Sequence, residues 1–268
     1  MGRFLMLLAP LLLPNLSGDI QRHILPKIIV TPNIWGGASV SNIELILQST
    51  ARQIWPYAEQ SSLCTIQVDR SRTGPIVLYR RGSNGEYLVH LDTQKQYWCQ
   101  YAFQFAHELC HIICGYKKGD RSNLWFEESL CETASLFVLR KMTEEWKIKP
   151  SFPNWKPYGV EFAKYAQNRL NRYTWPDNLP LAQWYAQKKH TLNEDPTNRP
   201  RNVQLASQLL QYFEKDPSLW ATCSFINHKK TDQEVDFSTY LLDWKDNCQT
   251  SEQKGFVQQL ILAFGLDV

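Results

Sequence analysis

The backbone period changes along this chain, and the order of those changes constrains its fold more than any other feature. Residues 41–58, SNIELILQSTARQIWPYA, carry apolar positions at helical spacing after a Ser/Asn start, which predicts a helix ending near Pro56. The runs CTIQVDR, PIVLYRR and EYLVHLD then read as short strands. The Ser-Asn-Gly between the second and third predicts a hairpin over residues 76–91. Two long helical runs follow. The first spans 98–116 without proline and is stopped by Gly115; the second spans about 124–142, after the charged loop KKGDRSN. Strands gathered ahead of helices predict an α+β fold of at least three strands rather than an alternating one.

After Pro150 the chain is punctuated by proline-rich connections, SFPNWKPYG, TWPDNLP, EDPTNRP and KDPS. They separate helical runs near 158–172, 179–190, 202–214, 235–246 and 252–264. The predicted organisation is an α+β lobe over 19–149 and a helical lobe over 150–268, both parts of one domain with a cleft between them. Hydrophobic residues at 43% and charged residues at 21% give a chain of 268 residues enough apolar surface for a sizeable core. The net charge of +3 is spread out, with no basic run suited to nucleic acid.

The N-terminus places Arg3 before an apolar run over 4–13, with Ser17 and Gly18 after it. That run is shorter than the roughly 20 residues needed to span a bilayer. It reads as a signal peptide over 1–18, which predicts export and a mature chain without a membrane span. Of the seven cysteines, Cys223 and Cys248 are the easiest pair to join. Cys110 and Cys114, one turn apart on one helix, are poorly placed to bridge each other and read as small buried hydrophobes.

The chemistry concentrates in HELCHIICG, residues 107–115. At 3.6 residues per turn His107 and His111 project from one helix face, so both imidazoles can reach one metal ion. Glu108 lies about 100° further round, suited to a water on that metal rather than to the metal itself. The pattern alone is weak and needs a second feature. WFEESLCETAS, residues 125–135, supplies one. Glu128 stands 17 residues after His111 on the next helix, as the third protein ligand a catalytic zinc wants beside an open position. Glu132, one turn on, is placed to accept a hydrogen bond from a ligand histidine. The competing reading of these acids is an exposed face of an amphipathic helix.

HELCH followed by WFEESLCETA resembles the gluzincin metallopeptidases, which share HExxH and a downstream helix carrying a ligand glutamate. The resemblance covers only about residues 97–140. It implies a zincin-like fold, one Zn²⁺ per chain held by His107, His111 and Glu128, Glu108 as general base, and Glu132 supporting a ligand. A peptide or protein would be the substrate. Three departures matter. The asparagine usual before the ligand glutamate is Glu127, so the choice of Glu128 rests on its one-turn pairing with Glu132 and its place after Trp125. The segment GSNGEYLVH lacks the amine-holding pattern of the aminopeptidase branch. No tyrosine opens the helix near 202–214, leaving Tyr185 and His190 as the substitutes for the oxyanion donor. The strand at Tyr87, Leu88 and Val89 is expected to align an extended peptide by strand addition. Two other classes stay open: a zincin-fold metal-binding or regulatory protein without turnover, and a helical interaction protein in which HExxH is chance.

Overall fold

The computed structural model describes residues 25–58, 64–229 and 231–266. The predicted signal peptide lies outside them.

The fold is α+β. Strand β1 (Lys27–Val30) leads into helix α1 (Val40–Ile54), and strand β2 (Thr65–Arg70) follows. Strands β3 (Ile76–Val77) and β4 (Tyr87–Leu91) complete a four-stranded sheet in the order β1-β2-β4-β3. β1 runs parallel to β2, β2 parallel to β4, and β3 antiparallel to β4. The chain therefore leaves β2, passes to the far edge as β3, and turns back to fill the gap as β4. Period-two alternation puts Ile28, Val30, Ile66, Val68, Val77, Val89 and Leu91 into the core.

The hairpin forms as its residues predict. Ile76 pairs with His90 and Val77 with Val89. Gly85 takes the positive φ of 84° that the turn after Asn84 requires, a conformation glycine reaches without a Cβ clash. β1 went unread in the sequence because KIIV is only four residues long, and its partner β2 lies beyond the whole of α1. The edges of the sheet are β1 and β3, so the expectation that β4 offers an open edge is corrected. Tyr87, Leu88 and Val89 pair with Ile66, Gln67 and Val68 of β2, and on the other side Val89 pairs with Val77 and Leu88 O accepts the Leu78 N–H, so β4 is an inner strand.

Helix α1 buries Ile43, Ile46, Leu47, Ala51 and Ile54 along one face and ends just before Pro56. Helix α2 (Trp98–Ile113) is buried on nearly every side, between the sheet and helix α3 (Leu124–Ile148). Its end is a Schellman motif. Gly115 sits at φ 71°, Tyr116 N–H donates to His111 O (3.1 Å), and Gly115 N–H donates to Ile112 O (3.1 Å). This closure folds Tyr116 back until its ring centroid lies 5.3 Å from that of His111.

Helix α3 runs six residues beyond its predicted end. No breaker occurs before Pro150, and the last turns are anchored tertiarily. Trp146 is fully buried with its Nε1–H donating to Ser49 Oγ (2.9 Å), and Glu145 accepts from Ser49, Arg52 and Gln53 of α1. The helical part comprises α4 (Gly159–Arg172), α5 (Leu181–Lys188), α6 (Arg199–Lys215), α7 (Phe237–Asn247) and α8 (Ser251–Ala263). Each lies within a few residues of its predicted run. Proline-started 3₁₀ turns at Pro153–Tyr158 and Pro217–Phe225 connect them.

One hydrophobic cluster runs through both parts of the chain, with α3 in its middle. Phe137 on α3 meets Trp220 edge-on at 5.5 Å, and Trp220 stacks on Phe213 of α6 at 3.8 Å. Phe137→Ala is expected to cost about 3–5 kcal/mol by opening a cavity in this joint. Denaturant unfolding checks it, as a lower midpoint at unchanged slope.

All seven cysteines are free thiols, so Cys223 and Cys248 are not joined. Cys248 instead donates to Trp244 O at 3.2 Å within its own helix end. Cys110, Cys114, Cys131 and Cys223 are buried next to one another, each in hydrogen-bond reach of another thiol in the group.

Candidate metal centre

Helices α2 and α3 lie side by side, and their facing surfaces bring the two motifs together. His107 Nε2 is 3.1 Å from Glu128 Oε2, and His111 Nε2 is 3.6 Å from Glu128 Oε1. Ligand bonds of 2.0–2.2 Å at tetrahedral angles place neighbouring donor atoms roughly 3.3–3.6 Å apart. Each Glu128 oxygen thus lies at that spacing from a different histidine, Oε2 from His107 and Oε1 from His111. His107, His111 and Cys131 also bring ligand atoms within 4.8 Å of one another. The residues present fit a divalent ion that accepts imidazole, carboxylate and thiolate, the ligand chemistry of zinc.

The orientation of His111 has a clear cause. Its Nδ1 is 2.7 Å from Glu127 Oε1, which fixes the tautomer and turns Nε2 toward Glu128. Glu127 is held in turn by Asn227, whose Nδ2 donates to Glu127 Oε2 and to Cys114 O, both at 3.0 Å. The role expected of Glu132 therefore falls to Glu127. Glu132 is one turn beyond Glu128 as predicted, but it accepts from Arg169 Nη2 of α4 at 2.7 Å, and the Arg169 guanidinium lies over the Phe103 ring. The register explains this. Glu127 sits about 100° round α3 from Glu128, on the side facing His111, whereas Glu132 faces α4. Glu127→Ala is expected to weaken zinc affinity about 10–100-fold, read by competition with a chromophoric chelator, while the fold is kept.

Glu108 is almost fully buried, and its Oε2 accepts the Val77 N–H of β3 at 2.7 Å. One carboxylate oxygen is tied to the edge strand and the other is left for chemistry. Burial pushes the Glu108 carboxyl up, against the pull of His107 and His111. Burial also works against charge on His107, but its hydrogen bond to Glu128 and the neighbouring carboxylates outweigh that and lift it to about 9. His111 is raised for the same kind of reason: burial opposes its charge, and Cys131, Glu127 and Glu128 overcome that. Glu128 is held down to about 2: burial opposes this, but the hydrogen bond to His107, the charge of His111 and the nearby Arg121 prevail. A metal ion binding here must displace the imidazole protons.

These side chains open into a cavity of about 470 Å³. Thr73, Gly74, Pro75 and Ile76 line it from the β3 side, Tyr165 and Arg169 from α4, and Thr197, Arg199 and Asn202 from the start of α6. It lies between the sheet-bearing part of the chain and the later helices, where the sequence places a cleft. The predicted oxyanion donors are corrected. Tyr185 packs among Trp125, Phe237 and Phe264, and His190 is an exposed residue past the end of α5; neither lines the cavity. The tyrosines that do line it are Tyr79, Tyr116 and Tyr165. Tyr79 and Tyr116 stack at 4.3 Å beside His111.

Sequence reasoning missed Cys131 and Asn227 as neighbours of the site and weighed Glu127 only as a rival ligand. Cys131 stands three residues after Glu128, a spacing that places both on one helix face and was there to be read. Asn227 arrives from a hundred residues away along the chain, and no local pattern announces it. Comparison of the chain with models of known families, with characterised proteins and with solved structures gave no match.

Proposed function

We propose that the chain is a zinc-dependent hydrolase of peptide bonds. The observation that carries this reading is that the Glu128 carboxylate reaches both His107 and His111, one oxygen to each, with Glu108 beside them at the same cavity. His107, His111 and Glu128 would hold the ion, Glu127 would orient His111, and one position would stay open. A zinc ion bound there supplies Lewis acidity and brings the pKa of its water toward about 7.

The chain's own residues do the rest. Glu108, tied at Oε2 and free at Oε1, accepts the proton of the attacking water and passes it to the leaving amine. Burial pushes its carboxyl up from the ordinary carboxylate range. The peptide lies along the segment 73–76 rather than along β4. The outward Val77 N–H is already taken by Glu108, so the peptide's backbone contacts fall to residues before it. The tyrosines lining the cavity are the available hydroxyl donors to the scissile carbonyl oxygen. A zincin-like arrangement is consistent with an antiparallel edge strand running beside the HExxH helix.

A second reading is a metal-binding or regulatory protein without turnover. One observation favours it: Cys131 lies close enough to both histidines to join them. A thiolate there, added to Glu128, closes the coordination sphere as in structural zinc sites. The experiment that separates the two is cobalt substitution. An open site of two histidines and a glutamate gives no thiolate-to-cobalt charge-transfer band. A strong band that disappears in Cys131→Ser places the thiol on the metal. If zinc is then lost in Glu128→Ala, the sphere is closed by four protein ligands and the hydrolase reading falls, whereas zinc kept in Glu128→Ala leaves three ligands and an open position. Peptide-library hydrolysis by the zinc-loaded chain, against a Glu108→Gln control, then tests turnover directly.

A further inference from the structure

The cavity wall carries three arginines and three glutamates. Arg121, Arg169 and Arg199 line it together with Glu108, Glu128 and Glu132. Arg169 is committed to Glu132 at 2.7 Å. Glu108 and Glu128 belong to the candidate metal centre, where a bound divalent ion would offset them and leave Arg121, now acting on Glu128 through space, and Arg199 without an acid to answer. Both are exposed, and among the described residues neither enters an ion pair. Asp120, the acid next to Arg121, is occupied by Ser122 through its N–H and its hydroxyl. Arg201, close to Arg199 in sequence, is spent on the carbonyls of Thr191, Leu192 and Asp195. That leaves Arg199 as the arginine at the start of α6 that faces the cavity.

The two arginines come from different walls. Arg121 belongs to the loop that joins the two ligand helices, and Arg199 opens α6 on the helical side. A neutral peptide would leave both guanidinium groups to solvent and gain nothing from them. A carboxylate would meet one or both in the planar, two-point geometry that guanidinium favours.

We infer that this cleft selects substrates carrying a carboxylate, received by Arg199 and Arg121. The inference rests on the hydrolase reading and deepens it. Two sources of that group fit the same chemistry: the C-terminal carboxylate of a peptide cleaved near its end, and an acidic side chain within a longer peptide. Arg121 and Arg199 are specificity residues here, and the bond-breaking step does not use them.

The test is a binding measurement, so that it does not depend on turnover. Zinc-loaded Glu108→Gln protein is titrated calorimetrically with three N-acetylated tripeptides of one scaffold. One has a free C-terminus, one a C-terminal amide, and one a C-terminal amide with a glutamate side chain. At low salt at least one acid is expected to bind about tenfold or more tightly than the neutral amide, and the preferred acid identifies the source. The preference is expected to weaken as salt is raised and to shrink in Arg199→Gln and Arg121→Gln at unchanged zinc content. Lysine at the same positions is expected to restore part of it. A neutral amide that binds as well as both acids, no measurable binding of either acid, or a preference that survives both substitutions overturns the inference. Wild-type turnover of the same peptides is scored separately. An acid preference without hydrolysis leaves the carboxylate site standing and removes only the hydrolase reading.

Discussion

Glu128→Ala is expected to leave purification with zinc at background level, beside a wild type near one ion per chain. Zinc bound by four protein ligands in small domains is worth roughly 10–16 kcal/mol, or about 3 kcal/mol per ligand. Losing the glutamate should therefore weaken binding by roughly a hundredfold or more. Its carboxylate reaches both histidines, His107 at 3.1 Å through Oε2 and His111 at 3.6 Å through Oε1. Glu127→Ala gives the contrast. It removes the partner of His111 Nδ1 but no proposed ligand, so metal is retained at reduced affinity. Elemental analysis of the three proteins, purified in parallel, decides it. If zinc is lost with Glu127→Ala and kept with Glu128→Ala, then Glu128 is not the third ligand. Equal zinc in all three would mean that His107, His111 and Cys131 suffice.

Glu108→Gln should separate binding from chemistry. The amide is nearly isosteric and its oxygen can still accept the Val77 N–H, so the fold and the zinc content are expected to stay as they are. What it cannot do is take a proton from water. Turnover of a peptide that the wild type cleaves is expected to fall by about 10²–10⁴-fold, the usual worth of a positioned general base. The fall should appear in kcat with little change in KM, because the group acts in the transition state rather than in binding. Full activity in Glu108→Gln would move the base elsewhere in the cavity. Loss of zinc together with activity would make Glu108 a structural support of the metal cluster rather than a base.

The helical part of the site was legible because α-helices carry their geometry with them. Once 98–116 is helical, His107 and His111 share a face whatever packs around them. The same rule put Glu128 and Glu132 one turn apart on α3. It could not say which acid on α3 meets which histidine, since that depends on how α3 is rotated against α2. That rotation is set by the burial of Phe126, Leu130 and Phe137 and by Asn227 arriving from the far part of the chain. Hence the partner of His111 proved to be Glu127, and Glu132 was left to Arg169.

Strand order was less legible still. The hairpin was readable from Asn84 and Gly85 because its pairing is local. The placement of β4 between β2 and β3 is a choice among distant pairings, which period-two patterns do not distinguish. It moved the available sheet edge from β4 to β3, and the peptide's expected path with it. Spacing along single elements is thus enough to specify an α+β chain with two histidines and two acids on its facing helices. The orienting acid, the neighbouring thiol of Cys131, the open edge and the two arginines on the cavity wall outside any ion pair among the described residues became visible only in the packed molecule. Each of those depends on elements brought together over long separations by burial, and a local period carries no record of that.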